Sequence, residues 1–305
     1  MKRKEVRISD LLFYNFLRGL ACLVIALFLT IFIFLFTSAQ PTFLARGWSF
    51  FLESTWSPTK EIFSVLAFVY GTVVSSLLAL LFAVPISVGS ALFLTQICPL
   101  SLRRPIRTLI ELLAAIPSVV YGLWGIFVLA PFIKNNIQPF LSAHTESLPF
   151  FKGPPFGLGL FTAAVILAIM IVPTITTISI EVFSSIPHLY QEGAKALGAT
   201  DWEAMRMAVL APGFSGVFAA VVLGLGRAMG ETMAVTMVIG NRADISSSLF
   251  SPAATMASVI ANEYAEAGSN LHSASLAAVG LTLLLISMVV NLAARIIIGR
   301  ARRNA

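Results

Sequence analysis

The sequence predicts an all-α membrane protein with six transmembrane helices, and three observations predict it. Of its 305 residues, 58% are hydrophobic and 11% are charged, against about 25% charged in an ordinary soluble domain. The apolar residues gather into six runs, each close to or above the ~20 residues needed to span a bilayer. The basic residues sit mostly on one side of those runs. A net charge of +6 could suggest nucleic acid, but these cations flank apolar segments, where they set orientation, so no nucleic-acid partner is expected.

Lys2, Arg3, Lys4 and Arg7 precede the first run, Gly19 to Thr37. At 19 residues it is longer than the roughly 7 to 15 of a signal-peptide core, so it reads as a retained first span. Pro41 to Lys60 is a loop whose Trp48 and Trp56 suit a membrane interface. The second span runs from about Ala67 to Thr95, with a kink expected at Pro85, whose ring removes a helical hydrogen bond. Arg103, Arg104 and Arg107 lead into a third span, about Thr108 to Ile133, with Pro117 inside it.

Asn135 to Gly157 carries Pro139, Pro149, Pro154 and Pro155 and reads as an external loop. The fourth span is about Leu158 to Phe183, containing Pro173, and the fifth is Gly213 to Gly240. Asn241 to His272 is too polar to cross, although Pro252 to Ala267 suits an interfacial helix. The sixth span is about Ser273 to Ile298, followed by Arg300, Arg302 and Arg303.

Six spans put both termini on one side. That side collects Lys2, Arg3, Lys4, Arg7, Arg18, Arg103, Arg104, Arg107, Lys195, Arg206, Arg295, Arg300, Arg302 and Arg303. The other has Arg46, Lys60, Lys134, Lys152 and Arg242, so both termini are expected in the cytoplasm.

The chemistry that is missing narrows the function. Cys22 and Cys98 lie far from any Cys-x-x-Cys spacing, and His144, His188 and His272 have no ligand set around them, so neither metal nor other cofactor is expected. No Gly-x-x-x-x-Gly-Lys-Ser/Thr loop occurs, so any ATP is hydrolysed on another chain and this one is not an enzyme by itself.

Between the fourth and fifth spans lies the polar stretch Glu192-Gly-Ala-Lys-Ala-Leu-Gly198-Ala-Thr-Asp-Trp-Glu. On a helix, Gly193, Ala194, Leu197 and Gly198 would share a face roughly 140° wide that is nearly bare of side chains. Such a face admits another protein's backbone. The stretch resembles the cytoplasmic coupling motif of permease subunits of ATP-binding cassette importers, which is Glu-Ala-Ala, three residues, Gly, then Leu-Pro about ten residues on. Here Glu192, Gly193, Ala194 and Gly198 are followed by Leu210-Ala211-Pro212, so glycine replaces the middle alanine and the proline comes one residue late. The resemblance implies that residues 188–204 couple the chain to cytoplasmic ATPases.

The fifth span carries Arg227 and Glu231, with Thr232 following. Arg227 is 14 residues from one proposed end and 13 from the other, near mid-bilayer, where a charge costs about 2.5–3.5 kcal/mol on insertion scales. Spacing of i, i+4 predicts that Arg227 and Glu231 pair, with Gly226 and Gly230 forming a small-residue helix contact. The pair has two readings: it fixes helix packing, or it lies on an anion path. A guanidinium can grip a tetrahedral oxyanion bidentately. A carboxylate beside it favours an anion that carries a proton, as hydrogen phosphate does and sulfate does not.

Leu225-Gly-Arg-Ala-Met-Gly-Glu-Thr-Met-Ala-Val, then Val238-Ile-Gly-Asn241, resembles the PstC-type permease of phosphate importers, as does Ile110-Glu-Leu-Leu-Ala-Ala-Ile-Pro-Ser-Val-Val-Tyr-Gly-Leu-Trp-Gly125. The similarity runs from about residue 60 onward. It implies a phosphate permease in a bacterial inner membrane, paired with a PstA-type sibling and served by two cytoplasmic ATP-binding subunits and an external phosphate-binding protein. It divides the chain into 1–60, comprising a tail, the first span and an external loop, and the permease domain 61–305. Arg227, Glu231 and Thr232 become the expected substrate path; Glu111 and Glu181, near the cytoplasmic ends of spans three and four, read either as candidate gate residues or as solvated helix ends. The alternatives are a permease for sulfate or molybdate and a secondary anion transporter or channel.

Overall fold

The computed structural model describes residues 8–144, 149–151 and 156–304. Lys2, Arg3, Lys4, Arg7, Lys152, Pro154 and Pro155 lie outside them. Among the described residues the fold is all-α, with two isolated β-bridges, Ser57 to Ile62 and Gly240 to Ala253. Six helices are long and apolar enough to cross a membrane: Leu12–Arg46, Leu66–Ile97, Ser118–Ala143, Leu160–Ser184, Asp201–Gly230 and Asn270–Gly299.

The fourth span is the hub. Of its most apolar stretch 67% is buried, against 0% for the first span, which stands at the rim. Lipid tails are as apolar as leucine, so membrane helices associate by close packing of small residues and by hydrogen bonds. The second and fourth spans meet through buried Ala79, Ala83 and Ala163, and Ser87 Oγ donates to the Val172 carbonyl at 3.2 Å. The helix continues unbroken through Pro85. The fifth span packs on the fourth through glycines: a Cβ added at Gly216 would lie 2.6 Å from Val182, and one at Gly224 2.8 Å from Ile175. Gly226 and Gly230, predicted to form a helix contact, meet nothing of this chain within 4 Å of an added Cβ. The first span joins the sixth near the first span's C-terminal end, where the Thr42 and Ser275 hydroxyls bond at 3.1 Å in a buried site. Such an interhelical bond contributes about 0.6–1.7 kcal/mol.

The first span runs on through Pro41 to Arg46, so the expected loop from Pro41 starts as helix and holds a further short one at Ser49–Leu52, and the ends of the third and fifth spans also differ from the sequence expectation. Pro117 separates two helices, because the residue before a proline is driven from helical to extended backbone, and Ile116 has ψ 129°. Leu100–Ala115 is thus a distinct helix with its leucines and Arg104 exposed, and the third span shifts to Ser118–Ala143. Tyr121 ties the two together, its hydroxyl donating to the Leu113 carbonyl at 2.8 Å. In consequence the expected external loop from Asn135 is helical as far as His144. The fifth span starts earlier, at Asp201, and ends at Gly230 instead of Gly240, with Met233–Val238 a separate short helix.

The expected interfacial helix is Met256–Glu263, and it is packed inside: Met256, Ala257, Ser258 and Val259 are buried, and the Met256 N–H donates to Thr72 Oγ1 at 2.9 Å. The loop between these two short helices caps the fourth span. Phe161 N–H donates to Leu249 O at 2.8 Å and Leu160 N–H to Ser251 O at 3.2 Å, supplying partners that a helix N-terminus lacks. Of the two tryptophans placed at the interface, Trp48 is exposed. Trp56 instead donates to Glu263 Oε2 at 2.8 Å and packs edge-on against Phe63 and Phe68.

Candidate functional site

Arg227 occupies the last turn of the fifth span. Leu223, Gly226, Arg227 and Gly230 form one exposed stripe at helical spacing, while Gly224, Ala228 and Met229 face the core. An arginine on a span thus faces a side that this chain leaves uncovered. Its Nη1 donates at 3.0 Å to Thr174 Oγ1 on the fourth span.

The predicted Arg227–Glu231 pair does not form. The helix stops at Gly230, and Glu231 has extended backbone with ψ 126°, which removes the i, i+4 geometry. Glu231 Oε1 instead accepts from the Ala234 N–H at 3.3 Å, capping the short helix Met233–Val238. Thr232 Oγ1 donates to the Gly230 carbonyl at 3.3 Å and stays at the break. Arg227, Glu231 and Thr232 are therefore gathered at one interruption, but the guanidinium is held by a neutral hydroxyl and no ion pair among the described residues includes it. A cation with donors left over can take an anion.

Sequence reasoning missed Thr174. The readable signal was Pro173-Thr-Ile-Thr-Thr177, a cluster of hydroxyls inside an apolar span.

The second site is the polar stretch. The helix there is Leu189–Ala196, so it carries Glu192, Gly193 and Ala194, while Leu197 and Gly198 lie past its end. That corrects the single bare helix face. The Ala199 N–H donates to Ala194 O at 3.1 Å and the Gly198 N–H to Lys195 O at 2.9 Å, with Gly198 at φ +91°. This is a Schellman closure, which needs a left-handed residue and so favours glycine.

Thr200 then caps the next helix in a box with Glu203, and Lys195 Nζ bonds Asp201 Oδ1 at 2.6 Å across the turn. The short helix Leu189–Ala196 and the start of the fifth span are thereby fixed at a set angle. Leu197 is 91% exposed at their junction, and space around Gly193 and Gly198 is open. Gln191 Nε2 donates to Gln96 Oε1 at 2.8 Å, joining this platform to the end of the second span. A groove of about 460 Å³ lies between them, lined by Gln96, Lys195, Trp202 and Met205.

Glu111 and Glu181 are brought together by a residue that sequence reasoning did not assign to them. Arg107 Nε donates to Glu111 Oε1 at 2.8 Å and Nη2 to Glu181 Oε1 at 3.4 Å, so one exposed arginine bridges Leu100–Ala115 to the end of the fourth span.

Residues 83–303 match the family described as "Binding-protein-dependent transport system inner membrane component". The "Phosphate transport system permease protein PstC" of Mesorhizobium japonicum is 45% identical over 301 residues, covering 97% of this chain and 92% of the relative. The protein of the same description from Pasteurella multocida is 44% identical over 306 residues, covering 99% and 95%.

Among solved structures, a bacterial ABC transporter involved in import of the acidic polysaccharide alginate aligns with TM-score 0.62 at 17% identity, over 97% of this chain and 98% of that one. The inward-facing MetNI methionine ABC transporter aligns with TM-score 0.58 at 17% identity, over 81% and 99%. These two share the fold. With most of its length matched by the family and 45% identity to a PstC protein across 97% of the chain, this protein belongs to the binding-protein-dependent transport system inner membrane component family.

Proposed function

We propose that this chain is the transmembrane permease subunit of an ATP-driven inorganic phosphate importer. The observation that carries the substrate class is Arg227, a guanidinium inside a span that is bonded to a neutral hydroxyl and faces a side this chain leaves open. A fixed cation there would compensate an oxyanion in transit, and its planar fork suits a tetrahedral one. The relatives named as phosphate permeases support the same substrate. Glu231 and Thr232 line the break beside it.

The uncovered stripe on the fifth span is the surface on which a PstA-type sibling closes the path. Residues 188–204 form the surface through which two cytoplasmic ATP-binding subunits drive the change of access, with Glu192, Gly193, Ala194, Leu197 and Gly198 at the contact. The chain itself has no phosphate-cradling loop and hydrolyses no ATP. An external phosphate-binding protein delivers substrate to the opposite face. Residues 1–60 form an appended unit and 61–305 the permease domain of a bacterial inner-membrane complex. Glu111 and Glu181, drawn together by Arg107, stand at the cytoplasmic gate.

Orientation follows from charge, with both termini in the cytoplasm. The bond from Gln191 to Gln96 supports it, since it sets the polar platform beside Arg103 and its neighbours on one side. A reporter active only in the cytoplasm should work when fused after Ala199 and fail after Ser147; the reverse pattern overturns the orientation. For substrate, the complex of this chain, its sibling and the ATPases, reconstituted in proteoliposomes with the binding protein, should accumulate radiolabelled phosphate only with ATP. Uptake of sulfate or molybdate in its place, or phosphate movement without the ATPases, would refute the proposal.

A further inference from the structure

Thr174 is assigned no role by the family match or by the sequence motifs, yet it is the residue that holds Arg227. We propose that Thr174 positions the Arg227 guanidinium and itself offers a hydroxyl to the oxyanion, an inference that rests on reading Arg227 as an anion contact. The hydroxyl accepts from Arg227 Nη1 at 3.0 Å. That bond fixes one arm of the fork and leaves Nε and Nη2 to be directed as a unit.

The remaining capacity of the hydroxyl matters as much. Threonines in helices commonly give their single proton to the carbonyl four residues back. Thr72, Thr95 and Thr282 do so in this protein, to Phe68, Ala91 and Ala278, each at 2.8 Å. Thr174 does not: among the described residues the bond from Arg227 is its only side-chain hydrogen bond. Its proton therefore remains available, and because the guanidinium occupies one lone pair, that proton points away from the cation.

Thr174 is only partly buried, as are Thr177 and Ile178 on the same side of the fourth span, so this face borders the opening that Arg227 faces. The result is a composite grip of a guanidinium edge and a hydroxyl. A hydroxyl can donate to a bare phosphate oxygen or accept from a protonated one, so the grip suits inorganic phosphate in either of its neutral-pH forms. Glu231 supplies less of this, since one of its oxygens is engaged by Ala234 N–H.

The test uses the full reconstituted complex with its binding protein and measures ATP-driven uptake of radiolabelled inorganic phosphate. Thr174→Val keeps the shape and removes the hydroxyl, and uptake should fall about tenfold, the scale of one hydrogen bond to a charged group. Thr174→Ser restores the hydroxyl and should stay within about threefold of the parent. Thermal unfolding and complex assembly should be unchanged in both.

Arg227→Lys is run alongside. If that variant loses uptake while Thr174→Val keeps it, the role of Thr174 is overturned and the anion-path reading stands. If Arg227→Lys also keeps uptake, the path reading fails and takes this inference with it. Equal losses in Thr174→Val and Thr174→Ser would show that shape matters rather than the hydroxyl, and would also overturn it.

Discussion

The helix that ends at Gly198 and the one that ends at Gly230 do so in opposite ways. At Gly198 the chain closes on itself: the Schellman bonds, the Thr200 capping box and the Lys195–Asp201 bridge satisfy the turn within about a dozen residues of sequence. At Gly230 it does not. The fifth span gives way to extended backbone at Glu231, and its arginine is held from another span, at Thr174. The first ending makes a rigid exposed shape, which suits recognition by a protein surface. The second leaves a cation whose setting depends on how two helices lie, which suits a site that must change as access alternates.

The largest expected effect breaks this comparison at its second half. Arg227→Lys keeps the charge and loses the fork, so phosphate uptake should fall about a hundredfold while the complex still assembles, the loss of two charge-assisted bonds. Glu231→Gln keeps an oxygen for the Ala234 N–H and should leave thermal stability unchanged, with a smaller fall in uptake. If both variants lose stability in proportion to uptake, the break is a packing feature and the distinction between the two endings collapses.

The next effect acts on the first half. Gly198 has φ +91°, so a side chain there is strained whatever the space around it, by about 1–2 kcal/mol. Gly198→Trp adds bulk to an open surface as well. Insertion should be normal, while substrate-stimulated ATP hydrolysis is lost. Gly193→Ala sharpens the result, because Gly193 is helical with nothing within 4 Å of an added Cβ. That change should stabilise by about 0.5–1 kcal/mol, and because it adds only a methyl at the contact its effect on coupling should be far smaller than that of Gly198→Trp. Intact coupling in a well-expressed Gly198→Trp protein would reduce the platform to a loop.

The same contrast accounts for what could be read in advance. Six spans and their order follow from apolar run length, a local quantity, and so does the polar platform. Span ends were less legible where backbone chemistry overrode hydropathy: Pro117 cut a run that looked continuous, and Gly230 ended another that stayed apolar through Val238. The Arg227–Glu231 pair was inferred from helical spacing and failed because the helix stops between its members. Thr174 is 53 residues from Arg227 in sequence, and nothing local announces that contact. Arg107 stood four residues from Glu111, so one half of its bridge was visible, whereas the reach to Glu181 was not.

The smallest expected effect concerns that bridge, which is neither a closed turn nor a break. Arg107, Glu111 and Glu181 are all exposed, with side chains 42%, 49% and 63% accessible, so water screens the pairs. Exposed pairs contribute under about 1 kcal/mol each, and Arg107→Gln should lower thermal stability by no more than that. A gate can still be sensitive to such an energy. If the bridge holds the fourth span against Leu100–Ala115 in one access state, removing it shifts that equilibrium by the same small free energy, enough for a change of up to about fivefold in unstimulated ATP hydrolysis. Raised salt should mimic the substitution in the parent and do nothing further in Arg107→Gln, because screening acts on a pair that is no longer there. Hydrolysis rates that match the parent at every salt concentration would leave Glu111 and Glu181 as solvated helix ends and confine the moving parts to the break at Gly230.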